Sequence, residues 1–321
     1  MKKTLGLLPK IVGLFVVILL ALLVYTFIPM KLDVTANQTG NSFAASKTDP
    51  ASLPEVKLSL MKAGKMTSQQ SFSWRGGKWG ETYESGMAAV LIQHPQMSFL
   101  YDAGFGANVD AHAKAMPWLM QKLANYVKEV PAAEQLRQNG IALETIKAVY
   151  ISHSHWDHIS GLEDFPGVEV RMPGAELEFI RARKMPGLID QMIGKLNVKT
   201  FEFTGGPYEN FDRSLDVFSD GSIVIVPLPG HTDGSNAMFV NLRSGKRFLF
   251  TGDLTWALEG FQLPAERPWV SRKLVDYDEA EVRRSIVKVH LLMQKYPDLI
   301  VVPAHDRRVH ERIANLPNFE R

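Results

Sequence analysis

Short apolar runs broken by turn-forming residues recur along most of the chain. "MAAVLIQ" (87–93) and "MSFLYDAG" (97–104) flank His94-Pro95-Gln96, the pattern of a hairpin in which His94 is a turn residue. Further runs rich in β-branched and aromatic residues follow: "IKAVYIS" (146–152), "VEVRMP" (168–173), "SIVIVPLPG" (222–230), "AMFVNL" (237–242), "RFLFTGD" (247–253) and "LIVVPAHD" (299–306). Between them the period changes. Met120, Leu123, Val127 and Val130 behind Pro117 predict an amphipathic helix over 117–130, with His112 exposed just ahead of it. Val282, Ile286, Val289 and Met293 predict a second helix, N-capped by Asp276 or Asp278, on which His290 is structural or exposed. Strands interleaved with helices on both sides of residues 146–161 predict an α/β (α+β layered) domain.

The N-terminus breaks this pattern. Residues 11–30, "IVGLFVVILLALLVYTFIPM", carry no charge and are as many as a helix needs to cross a bilayer, so 1–30 is expected to be a transmembrane anchor. Lys2, Lys3 and Lys10 precede the run, which puts the N-terminus in the cytoplasm and the rest outside, in the periplasm of a Gram-negative cell. A cleaved signal sequence ending near "VTA" (34–36) is the rival reading and would leave a secreted domain. Residues 31–54, rich in Thr, Asn, Ser, Ala and Pro, read as a linker, and 55–321 as the folded domain. A net charge of +2, with scattered Lys and Arg, gives no footprint for nucleic acid. The chain has no cysteine, which excludes disulfides and thiolate ligands.

Chemistry concentrates in "HSHWDHISG" (153–161). A chain of 321 residues with nine histidines places three of them, and an aspartate, within six positions. In an extended segment His153, His155 and Asp157 project to one side, and His158 joins them only if the chain turns there. Imidazole and carboxylate without thiolate suit zinc, and four ligands so close suggest two metal ions. His231 in "PLPGHTDG", Asp253 in "FLFTGD" and His305 in "VVPAHD" stand in one common context, the end of an apolar strand after a small residue.

From Met87 to Asp306 the succession "LYDAG", "HSHWDHISG", "PGHT", "TGD" and "PAHD" resembles the metallo-β-lactamase superfamily. The resemblance implies an αββα sandwich, two central mixed sheets flanked by helices, with the site along one edge. It implies that His153, His155 and His231 hold one metal ion, that Asp157, His158 and His305 hold a second, and that Asp253 bridges them. Two Zn2+ are expected, with Mn2+ or Fe2+ as alternatives. Asp102 would orient the ligand loop from behind, and Asp157 would carry a proton as well as bind metal. The implied function is hydrolysis by a hydroxide bridging the two ions, which attacks an ester-type carbonyl of a small molecule, a lactone or other ester or thioester. A phosphodiesterase or β-lactam hydrolase of the same fold, and a non-catalytic protein that retains metal, are the alternatives.

Residues 254–270, "LTWALEGFQLPAERPWV", are similar to the same region of the N-acyl homoserine lactonases, with one departure. Those enzymes have a tyrosine three residues after the bridging aspartate, where this chain has Trp256, whose indole N–H donates one hydrogen bond and accepts none. Trp156, Trp256, Phe261 and Trp269 either line an apolar pocket for an acyl chain or fill the core. "SFSWRGGKWGETYESG" (71–86) is either a loop over the site or an irregular lead-in.

Overall fold

The computed structural model describes residues 7–35, 43, 49–114, 116, 118–123, 125–183, 192 and 194–321. Twelve strands are described: β1 (Lys57–Gln69), β2 (Thr82–His94), β3 (Met97–Tyr101), β4 (Tyr126–Lys128), β5 (Ile146–Tyr150), β6 (Glu169–Pro173), β7 (Asn197–Phe201), β8 (Leu215–Asp216), β9 (Ile223–Pro227), β10 (Asn236–Asn241), β11 (Arg247–Phe250) and β12 (Leu299–Val302). They form a mixed sheet in the order β4-β1-β2-β3-β5-β6-β7 and a second in the order β12-β11-β10-β9-β8.

Alternation along each strand sends one set of side chains between the sheets and the other toward the helices. Leu58, Ile92, Phe99 and Tyr150 of the first sheet meet Ile225, Met238, Phe250 and Val302 of the second in a buried middle layer. The outer face of the first sheet, with Leu91, Leu100 and Val149, packs on Leu136 and Ile180, which lie on the helices Ala132–Gln138 and Gly174–Arg183. The outer face of the second, with Val226, Phe239 and Leu249, packs on Val282, Ile286, Val289 and Leu292 of the helix Glu279–Lys295. These are the helix, sheet, sheet and helix layers of the expected sandwich. Asp278 caps that last helix by accepting from Ala280 N and Glu281 N, which leaves Asp276 for another task.

The expected transmembrane helix is corrected: among the described residues no helix is long and apolar enough to cross a membrane. The N-terminal helix Leu7–Tyr25 contains Pro9 and Lys10 and ends five residues before the uncharged run does. Its uncharged part, 11–25, rises only about 22 Å, against a hydrocarbon layer of about 30 Å. The end is fixed by the domain itself. Arg75 donates from Nη2 to Tyr25 O (2.9 Å) and from Nε to Ile28 O (3.0 Å), and Phe27 packs against Trp79 with ring centres 4.6 Å apart. With the span falls the membrane-anchored placement of the domain that rested on it. Of the linker 31–54, Leu32 and Phe43 pack against the second sheet's outer core.

The helix expected over 117–130 is also shorter, Trp118–Leu123, and Pro117 lies outside the described residues. Tyr126–Lys128 instead form β4, because the edge of β1 offers a pairing register from Gly64↔Lys128 to Met66↔Tyr126. Val127 and Val130 are exposed there. His112 is buried rather than exposed, its Nδ1 2.8 Å from Ser160 Oγ. His94 ends β2 with Nε2 2.9 Å from Asp220 Oδ2, and His290 donates from Nδ1 to Phe261 O (2.7 Å). Residues 71–86 lie against the 254–258 loop, with Trp74 and Tyr83 packed on Ala257 and Tyr83 Oη donating to Trp256 O (2.7 Å).

Candidate metal centre

The carboxyl ends of β3, β5, β9, β11 and β12 reach one edge of the sandwich. β3 pairs parallel to β5 with Tyr101 opposite Tyr150, so Asp102 emerges beside Ser152. β11 pairs parallel to β12 with Phe250 opposite Val302, so the third residue past each, Asp253 and His305, comes out side by side. Beyond β5 the chain stays extended to His155 and then turns into the short helix Trp156–Ile159, with His158 N donating to His155 O (3.0 Å). That turn brings His158 to the same edge as His153 and His155.

Two sets of four donors result: His153, His155, His231 and Asp253, and Asp157, His158, Asp253 and His305. Within each set the ligand atoms lie within 4.8 Å of one another, and Asp253 belongs to both. All are buried except His155 and Asp157, which are half-buried and mark the mouth together with Trp156 and Trp256.

The partners of the ring nitrogens fix their tautomers. His158 donates from Nδ1 to Asp102 Oδ2 (2.8 Å), His231 from Nδ1 to Asp276 Oδ1 (3.0 Å), and His305 from Nδ1 to Gly86 O (2.9 Å). Ser152 Oγ, which gives its own proton to Asp102 Oδ2 (2.8 Å), accepts from His153 Nδ1 (3.0 Å). Each Nε2 then turns a lone pair inward. His158 Nε2 and Asp253 Oδ1 lie 3.0 Å apart, buried, and neither has a hydrogen-bond partner among the described residues. Lone pairs that face one another in a buried site require a proton or a cation between them. With His155 Nδ1, 3.0 Å from His153 Nε2 and 2.8 Å from His231 Nε2, five imidazole nitrogens and two carboxylates face one another and fit two divalent ions with nitrogen and oxygen preference, which the fold family implies.

Electrostatics divides the two sets. Burial and the charge of neighbouring imidazoles hold His153 well below its ordinary pKa and push His155 down to about 3. Burial also opposes charge on His305, but Asp253 and Asp157 outweigh it and lift that residue to about 10. For Asp253 burial works upward, and His305 and His158 overcome it to keep the carboxyl well below the usual carboxylate range.

Asp102 supports the ligand loop at three points, accepting from Ser152 N (2.7 Å), Ser152 Oγ and His158 Nδ1, in a left-handed backbone conformation (φ 55). Trp256 donates from Nε1 to Asp253 Oδ2 (3.2 Å). Trp156 stacks on Phe105 at 5.1 Å and meets Tyr126 edge-on at 5.9 Å. Phe261 is not brought to the mouth: it is fully buried in the core with Val282 and Ile286. Trp269 is exposed on the helix Trp269–Val275.

Three further residues act on the site without a signal in their local sequence. Glu176, fully buried on the helix Gly174–Arg183, accepts from Ser154 N (2.7 Å), Thr232 Oγ1 (2.6 Å) and Gly234 N (3.1 Å), and so ties the His153–His155 loop to the loop after His231. Burial pushes its carboxyl pKa up, and the bonds from Ser154 and Thr232 offset that in part. Gly234 is required by this approach, since a Cβ there would lie 2.2 Å from Glu176 N. Arg267 and Asp276 are the other two. Asp276 meets His231 and Arg267 meets the Asp253 carbonyl, contacts that no local spacing rule would point to.

A family model described as the metallo-beta-lactamase superfamily matches residues 86–305, and the chain belongs to that superfamily. It is a metal-dependent hydrolase of this fold and similar to lactonases. It is 23% identical over 278 residues to the N-acyl homoserine lactonase AttM of Rhizobium radiobacter, covering 83% of this chain and 99% of that protein. It is 27% identical over 232 residues to the probable metallo-hydrolase Rv2300c of Mycobacterium tuberculosis, covering 68% of this chain and 73% of the other. An N-acyl homoserine lactone hydrolase, solved with the product N-hexanoyl-L-homoserine bound at its catalytic metal centre, superposes with a TM-score of 0.66 at 16% identity, over 84% of this chain and all of that one.

Proposed function

We propose that residues 55–321 form a two-metal hydrolase that opens a lactone or a similar small ester. The observation that carries this reading is the pair of four-donor sets sharing Asp253. His153, His155 and His231 would hold one ion and Asp157, His158 and His305 the other, with Asp253 common to both. When bound, such ions lower the pKa of a shared water and polarise a substrate oxygen.

The chain's own side chains supply the rest. Asp157 is half-buried at the mouth. Burial raises its carboxyl, but His158 and His305 outweigh that and hold it below its ordinary pKa. An ionised carboxylate at the mouth can take a proton from the attacking water and return it to the departing alkoxide. Asp102, Asp276 and the Gly86 carbonyl keep the imidazoles of His158, His231 and His305 in the tautomer that presents Nε2 to the site. The indole N–H of Trp256 is spent on Asp253, so its role toward substrate is that of an apolar wall. Trp156, backed by Phe105 and Tyr126, offers a second apolar surface beside Asp157 for an acyl chain.

The test is a hydrolysis panel with zinc-loaded protein: N-acyl homoserine lactones, an aryl thioester, a phosphodiester and a β-lactam. The lactones should exceed every other class in kcat/KM by about tenfold or more, and Trp256→Tyr should leave lactone turnover at or above the parent level. Cleavage of phosphodiesters with no lactone turned over by either protein would overturn the carbonyl reading.

A further inference from the structure

The segment between Leu263 and Asp278 contains a buried ion pair that the mechanism above does not use directly. Arg267 and Asp276 have side-chain exposures of 1% and 0% and touch through Arg267 Nη2 and Asp276 Oδ1. The same Asp276 Oδ1 accepts from His231 Nδ1 at 3.0 Å. The other arm of Arg267, Nη1, donates to the backbone carbonyl of Asp253 at 2.8 Å, and its guanidinium carbon lies 4.9 Å from the centre of the Trp256 ring. Trp256 in turn donates to the Asp253 carboxylate.

We infer that Arg267 and Asp276 are a positioning bracket for the candidate metal centre: one guanidinium fixes the orientation of His231 through Asp276, and that of Asp253 through its carbonyl and through Trp256. The inference rests on the metal-centre reading and adds to it the residues that set the geometry of the strand ends after β9 and β11.

Three observations favour this over a pair kept for stability alone. A guanidinium and a carboxylate optimised for each other bond in two parallel prongs. Here Asp276 Oδ2 and Arg267 Nε are buried with no hydrogen-bond partner among the described residues, while the remaining capacity of the pair goes to His231 and Asp253. Desolvation of two charges opposes their burial, so a pair with unused atoms is a weak stabiliser. Finally, backbone bonds clip the bracket in register: Tyr277 N donates to Gly230 O (3.0 Å) and Asp278 N to the same oxygen (2.8 Å), so Asp276 cannot slide relative to His231.

The experiment uses the full-length chain stripped of metal. Zinc affinity is measured by competition with a chromophoric chelator, and site geometry by the visible absorption of the cobalt(II) form. Asp276→Asn should lower zinc affinity about 10- to 100-fold and alter the cobalt bands, with the far-ultraviolet circular dichroism of the parent. In a His231→Ala background the same change should cost nothing further, because its effect runs through that imidazole. Arg267→Lys keeps the charge and loses the fork. It should lower kcat with KM near the parent value and shift the near-ultraviolet circular dichroism of the tryptophans, a readout that stands even where Asp276→Asn does not fold. Unchanged zinc affinity and cobalt bands in a folded Asp276→Asn protein, or an equal loss in the His231→Ala background, would overturn the bracket. So would kcat and near-ultraviolet dichroism at parent values in Arg267→Lys. A parent that binds no zinc overturns the metal-centre reading and the bracket together. A parent that binds zinc and leaves lactones intact removes the substrate assignment only.

Discussion

Asp253→Ala should reduce hydrolysis by about 1,000-fold or more and leave the protein unable to retain a full complement of metal. The other six donors each belong to one set of four, whereas Asp253 belongs to both. Its loss therefore weakens both ion positions at once rather than one, and several kcal/mol of transition-state stabilisation are at stake at about tenfold in rate per 1.4 kcal/mol. Its carboxylate is also the charge that most strongly offsets burial at His305. The metal-free variant should thus show a His305 pKa well below that of the metal-free parent, readable by NMR titration of the imidazole. Metal analysis and steady-state kinetics on the same preparation check the larger effect. Parent-level metal content with parent-level turnover would remove Asp253 from the centre.

Asp157→Asn should separate chemistry from binding. The amide oxygen keeps one donor atom at nearly the same place, so the metal content and KM should stay near the parent values. The amide cannot accept and return a proton at the mouth, and kcat should fall about 100- to 10,000-fold. Rising KM with unchanged kcat would mean that Asp157 serves binding alone.

The strands and the donor residues were readable because both signals are local. Runs such as "IKAVYIS" and "LIVVPAHD" declare a strand and its end, and a histidine just past such an end is conspicuous. The parallel pairing of Phe250 with Val302, which turns two separate motifs into neighbours, is a property of the sheet and could be expected only from the family resemblance. The failures have the opposite character. Val127 and Val130 have helical spacing, yet the edge of β1 draws Val127 and its two neighbours into a strand and leaves Val130 beyond it. The N-terminal run had the length of a span, but Arg75, more than forty residues away, takes the carbonyls at which its helix ends. Phe261 lies within the lactonase-like stretch, yet the helix Glu279–Lys295 claims it for the core. Glu176, Arg267 and Asp276 gave no signal as site residues, because a buried carboxylate or guanidinium is identified by its partners and those come from other elements.

The most direct measurement is a titration of the metal-free, full-length protein with zinc while hydrolysis of an N-acyl homoserine lactone is followed. Two four-donor sets sharing one carboxylate predict that activity rises to a break at two equivalents of zinc per chain. A break at one equivalent, or zinc bound to saturation with no lactone opened, would contradict the account.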